Sequence, residues 1–244
     1  NIGQFSDYFS EDILENFSDL KRVEDILEGH VGANTLFAFE SAVLKAIAKE
    51  QKKEVWQLIN AGAKKSPRLV GNCIGGGMHS SGNKNPDFQE FLLIPNLKSV
   101  KENWEKNKKD KKEIKIIMGE THKKFSGKKN DEDAWMTEMN EREVFDVLLK
   151  LKVPLGVDVA ASSFFKRQKY LYNNPMLKRD KEEQLGYLSN LIKNFRLFYI
   201  EDPFNEEDFE SFAKLLKKCN NCLVVGDDLT VTNSKRLTKA IKAK

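Results

Sequence analysis

Cysteine is scarce in this chain: Cys73, Cys219 and Cys222 are the three among 244 residues, too few for the disulfide framework of a small secreted protein and in keeping with a reducing compartment. Cys219-Asn-Asn-Cys222 is a lone C-x-x-C with no second cysteine pair and no neighbouring histidine, so it reads as a helix-to-strand turn rather than a zinc or redox site. No apolar run approaches the ~20 residues of a membrane span, and the first 30 residues lack a basic segment followed by an apolar core. A cytoplasmic location without a membrane partner is the default expectation. Neither Gly-x-Gly-x-x-Gly nor Gly-x-x-x-x-Gly-Lys-Ser/Thr occurs, which weakens the case for a nucleotide-binding sheet. A one-sided charge is missing too: 41 Lys and Arg against 37 Asp and Glu leave +4. The densest basic block, residues 101–115, is interrupted by acids and reads as a solvated helix face or loop insertion, so no nucleic-acid partner is expected.

What is present is a 40% hydrophobic fraction, enough for a sizeable core, and an ordered run of elements. Ile13, Leu14, Phe17, Leu20, Val23, Ile26 and Leu27 lie at helical spacing broken between two short helices over residues 12–28. An Ala-rich helix is predicted over 34–51, and Gly62 ends a short helix after Trp56. Lys64-Lys65-Ser66-Pro67 marks a boundary, dividing residues 1–65 from 66–244. Strands are predicted over 69–74 and 88–95, separated by the turn Gly75-Gly76-Gly77 and His79. A helix over 114–124, a loop over 126–133 and a helix over 138–151 follow. From Leu155 onward strand and helix alternate: helix 181–194, strand 197–200, helix 206–217, strand 223–225, helix 234–242. Such alternation signifies a parallel sheet wrapped by helices, an open doubly wound sheet or a (β/α) barrel. The missing phosphate loop favours the barrel.

Asp158, Glu201 and Asp227 each end one of these strands, 43 and 26 residues apart, roughly the length of a strand, a crossover helix and the next strand. Three carboxylates delivered to one rim repel one another unless a cation lies among them. Hard oxygen donors without convergent Cys or His suit Mg²⁺, Mn²⁺ or Ca²⁺. The plainer reading is helix capping, for which Asp202 before Pro203 and Asp228 before Leu229 are placed.

Six motifs in order then resemble the enolases, over nearly the whole chain: Gly32-Ala-Asn34, Asn72 through His79, Phe88-Gln-Glu-Phe91, Gly156-Val-Asp-Val-Ala-Ala161, Tyr199-Ile-Glu-Asp-Pro-Phe204, and Val225-Gly-Asp-Asp-Leu-Thr-Val-Thr-Asn233 followed by Lys235-Arg236. The resemblance implies an α/β fold, part of an enolase-type (β/α) barrel of about five strands, preceded by the last helices of an α+β capping domain. It implies a Mg²⁺-dependent phosphopyruvate hydratase that interconverts 2-phosphoglycerate and phosphoenolpyruvate, homodimeric as the family is. Asp158, Glu201 and Asp227 would be its metal ligands, Glu90 and Glu132 its acids, His79 and Gln89 its substrate-binding support. Asp133 and Ala134 stand where the family has two glycines, and Ser163 where it has Glu. With the Lys-rich stretch, these departures motivate an alternative, a non-catalytic enolase-like scaffold; another acid or sugar dehydratase of the superfamily is a third option. The family continues past the position of Lys244 through strands bearing a base Lys, a His-Arg-Ser run and a second Lys, so the chain is expected to be a piece with little or no activity of its own.

Overall fold

A computed structural model describes residues 6–9, 13–81 and 84–243. The chain divides into two compact units, 1–67 and 68–244. In the first, α1 (Leu20–Leu27), α2 (Ala33–Glu50) and α3 (Val55–Asn60) follow one another, with α1 and α3 each beside α2. Asp12, the start of the expected helix pair, lies outside the described residues; the described part is a 3₁₀ turn, Phe17–Asp19, leading into α1. Extended Gly32 precedes the first turn of α2, and Leu44, Ile47 and Ala48 form its buried stripe at helical spacing.

The second unit is built on a six-stranded sheet. Its members are β1 (Gly71–Gly75), β2 (Glu90–Leu93), β3 (Trp135–Met136) and β4 (Leu155–Asp158), then, after a separate antiparallel sheet of β5 (Phe165–Lys166), β6 (Lys169–Asn173) and β7 (Met176–Arg179), β8 (Tyr199–Glu201) and β9 (Leu223–Val225). The strand order is β3-β1-β2-β4-β8-β9. The expected parallel run holds for β4, β8 and β9, whereas β2 lies antiparallel to both β1 and β4. Among the described residues the sheet does not close; β3 and β9 are its edges. β4 is buried at all four positions, as a strand covered on both faces must be.

The sheet is packed by α4 (Val100–Thr121), α5 (Glu141–Leu148), α6 (Lys181–Phe195), α7 (Phe209–Lys218) and α8 (Ser234–Lys242). Their starts are chemically fixed: Ser99, Asn140, Asp180, Asp208 and Asn233 each accept amide hydrogen bonds from the first turn. Phe145 joins strand to helix in the core, 5.2 Å from the ring of Phe91 and 5.0 Å from that of Phe195. The basic block is a largely solvated helix face rather than a loop: α4 runs unbroken through it, starting fourteen residues ahead of the predicted start at 114. Cys219 ends α7 and accepts the Cys222 amide at 3.0 Å. That turn leads into β9, and both cysteines are buried and free.

Candidate active site

Strand register brings three of the sequence-selected acids into one row. Glu90 opens β2 opposite Asp158 at the end of β4, and Asp158 is in turn the partner of Glu201 at the end of β8. Neighbouring strands lie about 4.8 Å apart, so the row is a line of adjacent carboxylates at the carboxyl ends of two parallel strands. Asp227 lies two residues beyond Val225, the register partner of Glu201. Among the described residues, no three His, Cys, Asp or Glu side chains are gathered tightly enough to hold a metal ion.

Each carboxylate is held. Asp158 is buried; its Oδ1 accepts the Ala160 amide at 3.0 Å and its Oδ2 accepts the Gln89 side-chain amide at 3.2 Å. Gln89 also donates its backbone N–H to the Asp158 carbonyl at 3.0 Å. Tyr199 donates its hydroxyl to Glu201 Oε2 at 2.6 Å. The Tyr199 side chain is two residues back along β8, on the same face as Glu201. Burial first, then the charge of Glu201, push the Asp158 carboxyl up to about 8. Burial and then the charge of Glu132 push Glu90 up to about 7. Glu201 is raised by burial, although the Tyr199 hydrogen bond opposes the shift.

The loops above the row carry the remaining residues. Glu132 sits in the loop 130–134, where Asn130 Oδ1 accepts the amides of Glu132 and Ala134 at 3.1 and 2.9 Å. Asn72 on β1 donates to Glu132 Oε2 at 3.0 Å. Asp133 adopts φ +64°, a left-handed conformation that glycine takes freely and Asp tolerates. Lys111 and Lys129 bind its carboxylate. The loop therefore makes its turn without glycine at 133 or 134. His79, closing the turn Gly77–His79, has Nδ1 3.2 Å from Asp131 Oδ2 and Nε2 3.8 Å from Glu132 Oε1. The hydrogen bond to Asp131 raises its pKa. Ser163 donates its hydroxyl to the Ala160 carbonyl at 2.7 Å, a local turn contact.

Thus His79, Gln89, Glu90, Glu132, Asp158 and Glu201 form one chain of contacts and register partners, with Asp227 just beyond the end of the next strand, β9. Tyr199, Asn72 and Asp131 belong to the same network and were not singled out by sequence. The period-two relation of Tyr199 to Glu201 was a readable signal, whereas Asn72 and Asp131 are defined by contacts across 60 and 52 residues.

The fold and site define an α/β protein whose strand ends present a row of carboxylates, buried at Asp158 and half-buried at Glu90 and Glu201, beside a histidine-bearing loop. The chain belongs to the enolase family: residues 65–244 match the family described as "Enolase, C-terminal TIM barrel domain". Among curated relatives, it is 36% identical to the enolase of Pyrobaculum aerophilum over 247 residues, covering 96% of this chain and 58% of that protein. It is 35% identical to the enolase of Methanosphaera stadtmanae, with 96% and 60% covered, and 35% identical to that of Archaeoglobus fulgidus, with 87% and 54% covered. The chain thus spans rather more than half the length of these relatives. Among the described residues, no helix is long and apolar enough to cross a membrane.

Proposed function

We propose that this chain is the acid-bearing part of a cytoplasmic, homodimeric enolase that reversibly dehydrates 2-phosphoglycerate to phosphoenolpyruvate in glycolysis and gluconeogenesis. The observation that carries the reading is the row Glu90, Asp158, Glu201 with Glu132 facing Glu90. The donor chemistry, hard carboxylate oxygens, suits a divalent cation, for which the side chains would draw closer than they stand here: among the described residues, no Lys or Arg forms an ion pair with Glu90, Asp158, Glu201 or Asp227, and the charges of Glu201 and Glu132 help to raise Asp158 and Glu90. Asp158, Glu201 and Asp227 would hold Mg²⁺, which when bound supplies the positive charge that, as is established for this superfamily, stabilises an enediolate.

The chain's own residues handle the leaving group. Burial and then the charge of Glu132 hold the Glu90 carboxyl at about 7, so Glu90 keeps a proton in hand near neutral pH. That proton goes to the departing hydroxyl as its carbon–oxygen bond breaks, and water leaves. Gln89 fixes the Asp158 carboxylate, and Tyr199 fixes that of Glu201, so neither has to be reoriented during turnover. His79, anchored by Asp131, brings positive charge to the phosphorylated substrate. Residues 1–244 contain no counterpart of the family's base Lys or His-Arg-Ser run, so the 244-residue chain alone turns over little or no substrate. Phosphoenolpyruvate formation by the purified chain would contradict this. Titration with Mn²⁺ followed by electron paramagnetic resonance tests the cation site independently of turnover. Asp158→Asn is expected to weaken binding at least about tenfold, and an unchanged affinity would overturn the assignment.

A further inference from the structure

A polar cavity of about 330 Å³ lies between the loop that follows His79 and the loop that follows α4. Ser80, Lys84, Lys124, Ser126, Lys128 and Lys129 line it, and none of the acid-row residues does. Glu138 is the one acid on its wall, and it is spent on Lys124 at 3.4 Å. Lys129 is spent on Asp133 and also lies 4.9 Å from the ring centroid of Trp135. Lys84 and Lys128 have no acidic partner among the described residues, and the Ser80 hydroxyl is buried with no hydrogen-bond partner. The cavity therefore offers ammonium groups and hydroxyls and almost no competing carboxylate. This chemistry accepts a tetrahedral oxyanion, whose oxygens take several charge-assisted hydrogen bonds at once.

The structure assigns this cavity as a second anion site, for a phosphate group bound apart from the carboxylate row. Lys84 and Lys128 carry the charge, and Ser80 donates from the wall. Because Ser80 directly follows His79, an anion held there joins the His79 loop to the loop after α4.

Inorganic phosphate titrated calorimetrically into the purified 244-residue chain, with a chelator present so that no metal-bound phosphate contributes, tests the assignment. One phosphate per chain is expected, with affinity falling as salt is added. The double variant K84S/K128S should bind at least about tenfold more weakly, since two charge-assisted contacts are lost. Both lysines are exposed, so the variant should melt as the wild type does. Ser80→Ala, which removes only the wall hydroxyl, should weaken binding less than the double variant. No phosphate binding by the wild type, or equal affinity in wild type and double variant, overturns the assignment. The measurement needs no turnover, so its failure is distinct from failure of the enolase reading.

Discussion

At the scale of single residues, acids of similar sequence context do different work. Asp202, next to Glu201, is 2% exposed and accepts the amides of Asp227, Asp228 and Leu229 at 3.1, 2.8 and 3.2 Å. Its position before Pro203 suggests a helix cap, yet the turn it caps is the one after β9, and Asp208 caps α7 instead. Nothing local in the sequence announces a partner 25 residues away. Asp202→Ala leaves three amides without an acceptor and is expected to cost about 3 kcal/mol, measured by urea unfolding; a loss near zero would show that the turn does not depend on it. Glu141 is a second buried acid, accepting the Asp87 amide at 2.8 Å, and burial pushes it up to about 7 from an unfolded value of 4.5. Because the folded state holds this proton more tightly, its contribution to stability is complete below pH 4.5 and is lost as the pH rises through about 7. The loss amounts to about 3 kcal/mol. Glu141→Gln should remove it, so the variant gains on the wild type between those pH values. A stability difference that stays flat with pH would mean that Glu141 titrates normally.

At the scale of elements, legibility depended on which residues do the burying. The strand ends bearing Asp158, Glu201 and Asp227 are readable because apolar runs stop abruptly at acids, and strand register then follows from parallel pairing. α4 is hidden because its buried stripe is Asn103, Asp110, Ile114 and Met118, two of them polar, so apolar periodicity begins only at Ile114. Asp110 is paired with Lys106, one turn back, and Asn103 is satisfied by the Leu97 amide at 2.8 Å and the Ser99 carbonyl at 2.9 Å. β3 has only two residues, too short for any pattern. Asn103→Ala should cost about 2 kcal/mol by orphaning the Leu97 amide and should speed hydrogen exchange in the first turn of α4. Unchanged exchange there would place the helix start under the control of Ser99 and Glu102 alone.

At the scale of the whole 68–244 unit, alternation of strand and helix was enough to predict the parallel run β4-β8-β9, but not the reversal of β2, because direction within a sheet is set by partners rather than by pattern. The same sheet ends, among the described residues, at β9. Beside it, Phe212, Leu216, Val224, Leu237 and Ile241 line an apolar cavity of about 250 Å³, and Leu223, Leu237 and Ile241 are each about half exposed. An uncovered strand edge next to an apolar groove is a template for pairing with another chain. α8 buries none of its residues, so Leu237 and Ile241 contribute little to stability and much to this surface. The 244-residue chain should therefore self-associate as its concentration rises. The variant L237K/I241K should shift it toward monomer in sedimentation velocity, with unfolding free energy altered by no more than about 0.5 kcal/mol per site, as is usual for exposed positions. If the variant associates as strongly as the wild type, contact runs through another surface; if it unfolds instead, α8 is part of the core rather than a cover laid on its edge.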